Sequence, residues 1–266
     1  MCQEVLQAKK VMDTQVINNQ FLVSDFYLLS LTYPLSEPVP YPGQFINLSV
    51  DPFLLKRPFA VFDYQDQVLT LLYKKVGEGT QKMSQWEAGH KTSFLSPLGN
   101  AFLKPQPQSL KVLVGGGTGI ASLYYYAKTY PNNTLLFIGV NTLKEAQVLK
   151  KLFKPLKVPV FIAVAQEKSP DFYHGFVTHY VAKEMANKSS YDLYACGPHG
   201  MFLSLNSLIS QGSIAPQNTY LSLEARMGCG FGVCLGCAVQ KKDSDSFFYV
   251  CKDGPIFNLN ELCLDE

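Results

Sequence analysis

A chain of 266 residues with 47% hydrophobic and 17% charged side chains has the composition of a globular protein, long enough for two domains of about 150 residues each. No apolar run approaches the ~20 residues that cross a bilayer, the start MCQEVLQAKK has no apolar signal core, and scattered basic residues with a net charge of +2 leave no footprint for nucleic acid. A cytoplasmic chain with neither a membrane nor a nucleic-acid partner is expected, its 13% aromatic residues serving the core and part of an apolar surface for a protein partner.

Residues 11–23, 26–33, 43–50, 58–64, 67–76 and 91–99 read as short strands, punctuated by Pro34, Pro42-Gly43, Asp66 and Gly89-His90. They predict a small antiparallel β barrel interrupted by a short helix over 80–86. The proline-rich, polar run FLKPQPQSL, residues 102–110, is the expected linker. Beyond it the rhythm changes to apolar strands alternating with helical stretches: KVLVGGGTGIASLYYYAK, LLFIGV, VPVFIAVA and YDLYACG. That alternation predicts a parallel α/β sheet.

The turn Gly115-Gly116-Gly117-Thr118-Gly119 lies where the first of these strands meets a helix, so its N–H groups and the helix dipole suit a pyrophosphate. It departs from strict G-x-G-x-x-G spacing, and tight strand-to-helix turns use glycine anyway. Cys196, Gly197 and Pro198 close a later strand at the sheet edge where ligands bind. Cys196 reads equally as a neighbour of a nicotinamide and as a small buried hydrophobe. After the second strand, Asn141 and Thr142 stand where no arginine is available for a 2′-phosphate, which favours NAD over NADP, with Lys144 as the opposing feature.

The most specific signal is RMGCGFGVCLGCAV, residues 226–239. Cys229, Cys234 and Cys237, followed by Cys251, form C-x4-C-x2-C…C, the plant-type arrangement of four thiolates around a [2Fe–2S] cluster. Gly228, Gly230, Gly232 and Gly236 let the crowded loop turn its sulfurs inward and its N–H groups toward the cluster. Structural zinc would call for two paired knuckles, and disulfides for a small secreted chain. Cys2 and Cys263 read as free thiols, and the four histidines show no ligand spacing.

Such a cluster exchanges one electron and a nicotinamide exchanges a hydride, so a flavin is expected between them. In the barrel, RPFAVFDY offers Arg57 as a cation for a phosphate or flavin oxygen, and LYKKVGEGT offers Tyr73 for stacking with Gly79-Thr80 at a helix start. The competing readings are a surface ion pair for Arg57 and barrel core for Tyr73.

Taken together, RPFAV, GEGT, GGGTGIASL, YACGP and MGCGFGVCLGC…VCKDGPIF resemble the electron-transfer subunits of type B dihydroorotate dehydrogenases, within the ferredoxin reductase-like superfamily. The resemblance spans nearly the whole chain. It implies FAD on a barrel of residues 1–103, NAD on an α/β domain of residues 109–223, and a [2Fe–2S] module at 224–266. By position it assigns Arg57, Pro58, Phe59 and Ala60, then Leu72, Tyr73 and Lys74, then Gly79 and Thr80, to the flavin, and the four cysteines to iron. Phe59 and Ala60 depart from the usual R-P-I-S, removing a hydroxyl near the flavin. Thr118 and Ala121-Ser122 also stand where the family often has an aliphatic residue and prolines.

The implied partner is a catalytic subunit carrying FMN that oxidises dihydroorotate for pyrimidine synthesis, in a heterotetramer. Electrons would travel from FMN through the cluster and FAD to NAD+, with no residue of this chain acting as general acid or base. Phe231, Val233 and Leu235 read either as the docking surface or as local packing. A reductase subunit serving ferredoxin or an oxygenase, and a non-enzymatic iron–sulfur sensor, are the competing functions.

Overall fold

Alternating burial along Val11–Val23, with Met12, Thr14 and Val16 inside, makes this segment a strand with one face on a core. The computed structural model describes residues 9–264. Its first part consists of β1 (Val11–Val23), β2 (Phe26–Thr32), β3 (Phe45–Leu48), β4 (Arg57–Ala60), β5 (Asp63–Gln65), β6 (Val68–Lys74), α1 (Glu78–Met83) and β7 (Lys91–Leu98). The strands are ordered β4-β3-β7-β1-β2-β6-β5 and pair antiparallel throughout.

The sequence predicts one strand over 58–64, whereas the structure has two, at opposite edges of the sheet. Between them Val61 N–H donates to Gln44 O at 3.0 Å and Phe62 N–H to Thr70 O at 2.9 Å, so the chain crosses from one edge to the other and closes the barrel. The helix expected at 80–86 begins earlier because Thr80 Oγ1 accepts the Val76 and Gly77 N–H groups at 2.9 and 3.1 Å.

The second part comprises β8 (Leu110–Gly116), a 3-10 turn (Gly117–Gly119), α2 (Ile120–Thr129), β9 (Thr134–Val140), α3 (Leu143–Leu152), β10 (Val160–Val164), β11 (Tyr173–His174), α4 (Val177–Met185), β12 (Tyr191–Cys196), α5 (His199–Ser210) and β13 (Asn218–Ser222). The last segment contains β14 (Ala238–Gln240), β15 (Phe247–Tyr249) and β16 (Ile256–Asn258). β14 and β15 form a hairpin. β16 instead extends the parallel sheet, whose order is β11-β10-β9-β8-β12-β13-β16, as an antiparallel edge. The expected parallel sheet thus gains one antiparallel edge strand: residues 256–258, beyond the last cysteine of the cluster motif, cover β13, which would otherwise be an open edge.

Barrel, sheet and C-terminal segment share their cores. Phe26, Phe62 and Phe102 of the first part pack with Leu113, Ile120 and Tyr124 of the second. Phe45 and Leu98 pack with Val250, Cys251 and Phe257 on the other side of the sheet. α2 is held on the barrel by Lys128 Nζ to Asp63 Oδ2 at 2.7 Å and by Tyr125 OH donating to Pro40 O at 2.9 Å. The expected linker is anchored: the Phe102 ring lies 5.0 Å from that of Tyr126.

Candidate functional site

Closure of the barrel brings β4, the end of β6 and the start of α1 to one rim, facing the carboxyl ends of the parallel strands. Between them lies a cavity of about 790 Å³. Its wall includes Arg57, Pro58, Phe59, Ala60, Leu72, Tyr73, Lys74 and Thr80 from the barrel, and Gly116, Gly117, Thr118, Gly119, Cys196, Gly197 and Pro198 from the sheet. Two predicted residues are absent from that wall. Gly115 is backed by Ile120, and Gly79 by Arg57, whose Nε would stand 2.8 Å from a Cβ at position 79. Gly79 therefore makes room for the guanidinium. Arg57 Nη1 donates to Leu55 O, and its guanidinium lies 4.9 Å from the Phe53 ring centroid.

The ring of Tyr73 belongs to the barrel core, 1% exposed and stacked on Tyr27 at 5.2 Å. Its hydroxyl donates to Asn19 Oδ1 at 3.1 Å, and burial raises its pKa. This corrects the expectation that Tyr73 is free to stack on a ligand. The Thr80 hydroxyl is likewise committed to the turn before α1.

A second cavity, of about 730 Å³, lies along the carboxyl ends of β8, β9 and β10. Asn141, Glu145, Ala165, Gly175 and Phe176 line its far end, while Lys74, Gly116, Gly117 and Pro198 belong to both cavities. Lys74 Nζ stands 5.0 Å from the Phe26 ring centroid at this junction. Two carboxylates cap the start of α3, beside Lys144: Glu145 Oε2 accepts from Asn141 and Thr142 N–H at 2.9 and 3.2 Å, and Glu167 Oε2 from Leu143 N–H at 2.6 Å.

The sequence reading missed Ser222, Leu223, Glu224, Ala225, Arg226 and Met227, all of which line the first cavity. No motif marks the first four, and Arg226 and Met227 open the cysteine motif without a role of their own there. Their one signal is position, directly after the last parallel strand, where an α/β sheet presents ligands. Burial raises the Glu224 carboxyl. Cys196 is 3% exposed; burial first, then Glu224, pushes its thiol up to about 12. It is thus an inert thiol on the cavity wall rather than a nucleophile.

In the cysteine-rich loop, Cys229 Sγ accepts from Phe231, Val233 and Cys234 N–H groups at 3.5, 3.3 and 3.4 Å. Burial alone would raise this thiol, but those donors outweigh it and bring the pKa to about 6. Gly232 N–H donates to Cys251 Sγ at 3.1 Å, and Cys237 Sγ lies 3.3 Å from Cys251 Sγ. Burial and then Cys237 drive the Cys251 thiol up to about 12. The sulfurs thus fall into two neighbouring pairs, Cys229 with Cys234 and Cys237 with Cys251. Among the described residues no three such groups converge on a single ion. Buried thiols this close become anions together only beside a strong positive charge, and two irons supply it. The donor set therefore fits a [2Fe–2S] cluster.

Residues 224–263 match the model of the iron–sulfur cluster binding domain of dihydroorotate dehydrogenase B, and residues 113–206 that of the oxidoreductase NAD-binding domain. The dihydroorotate dehydrogenase B (NAD(+)) electron transfer subunit of Caldanaerobacter subterraneus subsp. tengcongensis is 34% identical over 254 residues, covering 94% of this chain and 98% of that protein. The chain belongs to this family of electron transfer subunits. The Fusobacterium nucleatum subunit is 30% identical, with 93% and 96% of the two chains covered. Among solved structures, an NADH-dependent reduced ferredoxin-NADP oxidoreductase superposes with a TM-score of 0.81 at 22% identity, over 94% of this chain and 90% of that one. That likeness is one of fold. As a member of the family, the chain is an oxidoreductase subunit for electron transfer, with an NAD-binding domain and an iron–sulfur cluster binding domain. Among the described residues no helix is long and apolar enough to cross a membrane.

Proposed function

We propose that this electron transfer subunit holds FAD in the larger cavity, NAD in the smaller one and the cluster on Cys229, Cys234, Cys237 and Cys251, and that it works docked to a subunit that oxidises dihydroorotate. The observation that carries this reading is the shared wall of the two cavities, Lys74, Gly116, Gly117 and Pro198, which makes their contents neighbours. When bound, the flavin exchanges a hydride with the nicotinamide and single electrons with the cluster. The chain's own residues hold and orient. Arg57, kept on the rim by Phe53 and Gly79, supplies positive charge to the flavin phosphates, while Pro58, Phe59, Ala60, Leu72 and the Tyr73 backbone form an apolar wall. Lys74 keeps a cation at the junction.

Thr118, Gly119, Gly197 and Pro198 shape the sheet side of the junction. Glu145 and Glu167 put negative charge near the far end of the nucleotide cavity, which repels a 2′-phosphate and favours NAD over NADP. Phe231, Val233 and Leu235 are 43%, 72% and 53% exposed on the cluster loop, and they form the docking surface for the partner. The division into residues 1–103, 109–223 and 224–266, a heterotetramer and a cytoplasmic location complete the proposal.

The test mixes the purified chain with a type B catalytic subunit from the same source and follows dihydroorotate-dependent reduction of NAD+ and NADP+, with the mass of the complex from light scattering. Efficient reduction of NAD+ by a complex of two copies of each chain is expected. Absence of both complex and activity, with ferredoxin-dependent turnover instead, would replace this reading with that of a ferredoxin reductase subunit. Equal use of NADP+ would overturn the role of the two glutamates.

A further inference from the structure

Asn47 is 1% exposed on β3, and neither its Nδ2 nor its Oδ1 has a hydrogen-bond partner among the described residues. Its cross-strand neighbours are Pro58 on β4 and Leu95 on β7, which offer the carboxamide an apolar setting. A leucine would fill such a place without stranding a donor and an acceptor. The polar end instead meets the cysteine-rich loop: a Cβ on Gly230 would stand 2.2 Å from Asn47 Nδ2 and 3.0 Å from Leu98 Cδ1. Gly230 follows Cys229 directly and has φ +83°. Asn47 lines neither cavity, so its carboxamide does not serve the flavin or the nucleotide.

We propose that Asn47 is a positioning residue for the iron–sulfur cluster: once the loop has closed on its irons, the carboxamide pairs with the backbone of residues 229–231 and fixes the direction of the Cys229 thiolate. The proposal rests on the assignment of Cys229 as a ligand. Partners of this kind, one step out from the metal, orient the ligand and tune the centre. The N–H donors to Cys229 Sγ all lie within the loop, whereas Asn47 approaches the loop from the barrel. Because β3 pairs with β4, which carries Arg57, Pro58, Phe59 and Ala60, the contact ties the cluster loop to the strand on the flavin side. This side chain thereby adds a polar tie to the apolar packing of Phe45 and Leu98 against Val250 and Cys251.

The test compares the wild-type holoprotein with Asn47→Leu, which keeps bulk and removes all pairing, and Asn47→Asp, which keeps shape and acceptor but loses the donor. Iron, labile sulfide and FAD content, the EPR spectrum of the reduced cluster, the rate of iron loss to a chelator and the Tm are measured. Both variants should keep their FAD, shift the cluster's EPR spectrum and lose iron about tenfold faster. Should Asn47→Leu fail to fold, Asn47→Asp decides alone. A spectrum and a chelation rate equal to wild type in the folded variants would overturn the proposal, as would parallel loss of FAD, cluster and Tm in Asn47→Asp. If wild-type protein binds no iron and sulfide, or Cys229→Ser binds them as well as wild type does, the ligand assignment falls and this proposal with it.

Discussion

Two glycine-rich turns, residues 115–119 and 228–236, look alike in composition and do different physical work. In the first, Gly119 is demanded by closeness: a Cβ there would lie 2.2 Å from the Cys196 carbonyl oxygen. The start of α2 thus sits directly on the end of β12. In the second, glycine is demanded by direction as well as by the close approach of Asn47 to Gly230 and of Lys252 to Gly232. Gly230 and Gly232 have φ +83° and +87°, which turns successive N–H groups onto Cys229 and Cys251. One turn joins two elements of the sheet; the other aims dipoles at sulfur. The count of glycines carries no information about which is which.

The sharpest way to break this comparison is Gly119→Ala. With backbone rather than a flexible side chain in the way, α2 must move off β12, and a loss of about 3 kcal/mol is expected, seen as a fall in Tm of about 10 °C. An unchanged Tm would mean that closeness is not what holds glycine there. Serine at Cys229, Cys234, Cys237 or Cys251 should instead spare the fold and abolish or destabilise the cluster, while serine at Cys196 or Cys263 should leave iron and labile sulfide unchanged. Equal losses in the two groups would undo the ligand assignment.

Gly79 extends the first kind of role to a side chain, since it leaves room for Arg57. Arg57→Ala should weaken FAD retention about ten- to hundredfold, from the ~1.5–3 kcal/mol of a charge-assisted contact. Gly79→Ala should weaken it in the same direction, and full FAD occupancy in both after extensive dialysis would count against the pair.

The smallest effect tests direction alone. With a pKa of about 6, Cys229 in cluster-free protein is mostly thiolate at neutral pH and protonated below pH 6, so its alkylation should rise with pH and level off above about pH 7. Cys251, with its thiol up at about 12, should still be accelerating at pH 9. A Cys229 rate that also keeps rising to pH 9, read by mass spectrometry, would show that the N–H groups do not stabilise its thiolate.

Features set by neighbours in the chain were legible in the sequence. The cysteine spacing, the strand at 11–23, the strand–glycine–helix junction at 115–119 and the position of Cys196, Gly197 and Pro198 at a strand end all depend on a few consecutive residues, and so does the family resemblance built from them. Tertiary structure alone decided which parts meet. It drew Tyr73 into the barrel core, split the predicted strand at 58–64 to close the barrel, brought residues 222–227 to the cavity and added β16 to the sheet. It also set Asn47 beneath Gly230, some 180 residues away in the chain. Such contacts follow from the docking of barrel, sheet and cysteine-rich loop on shared cores, and no local periodicity or spacing encodes how separate segments bury one another.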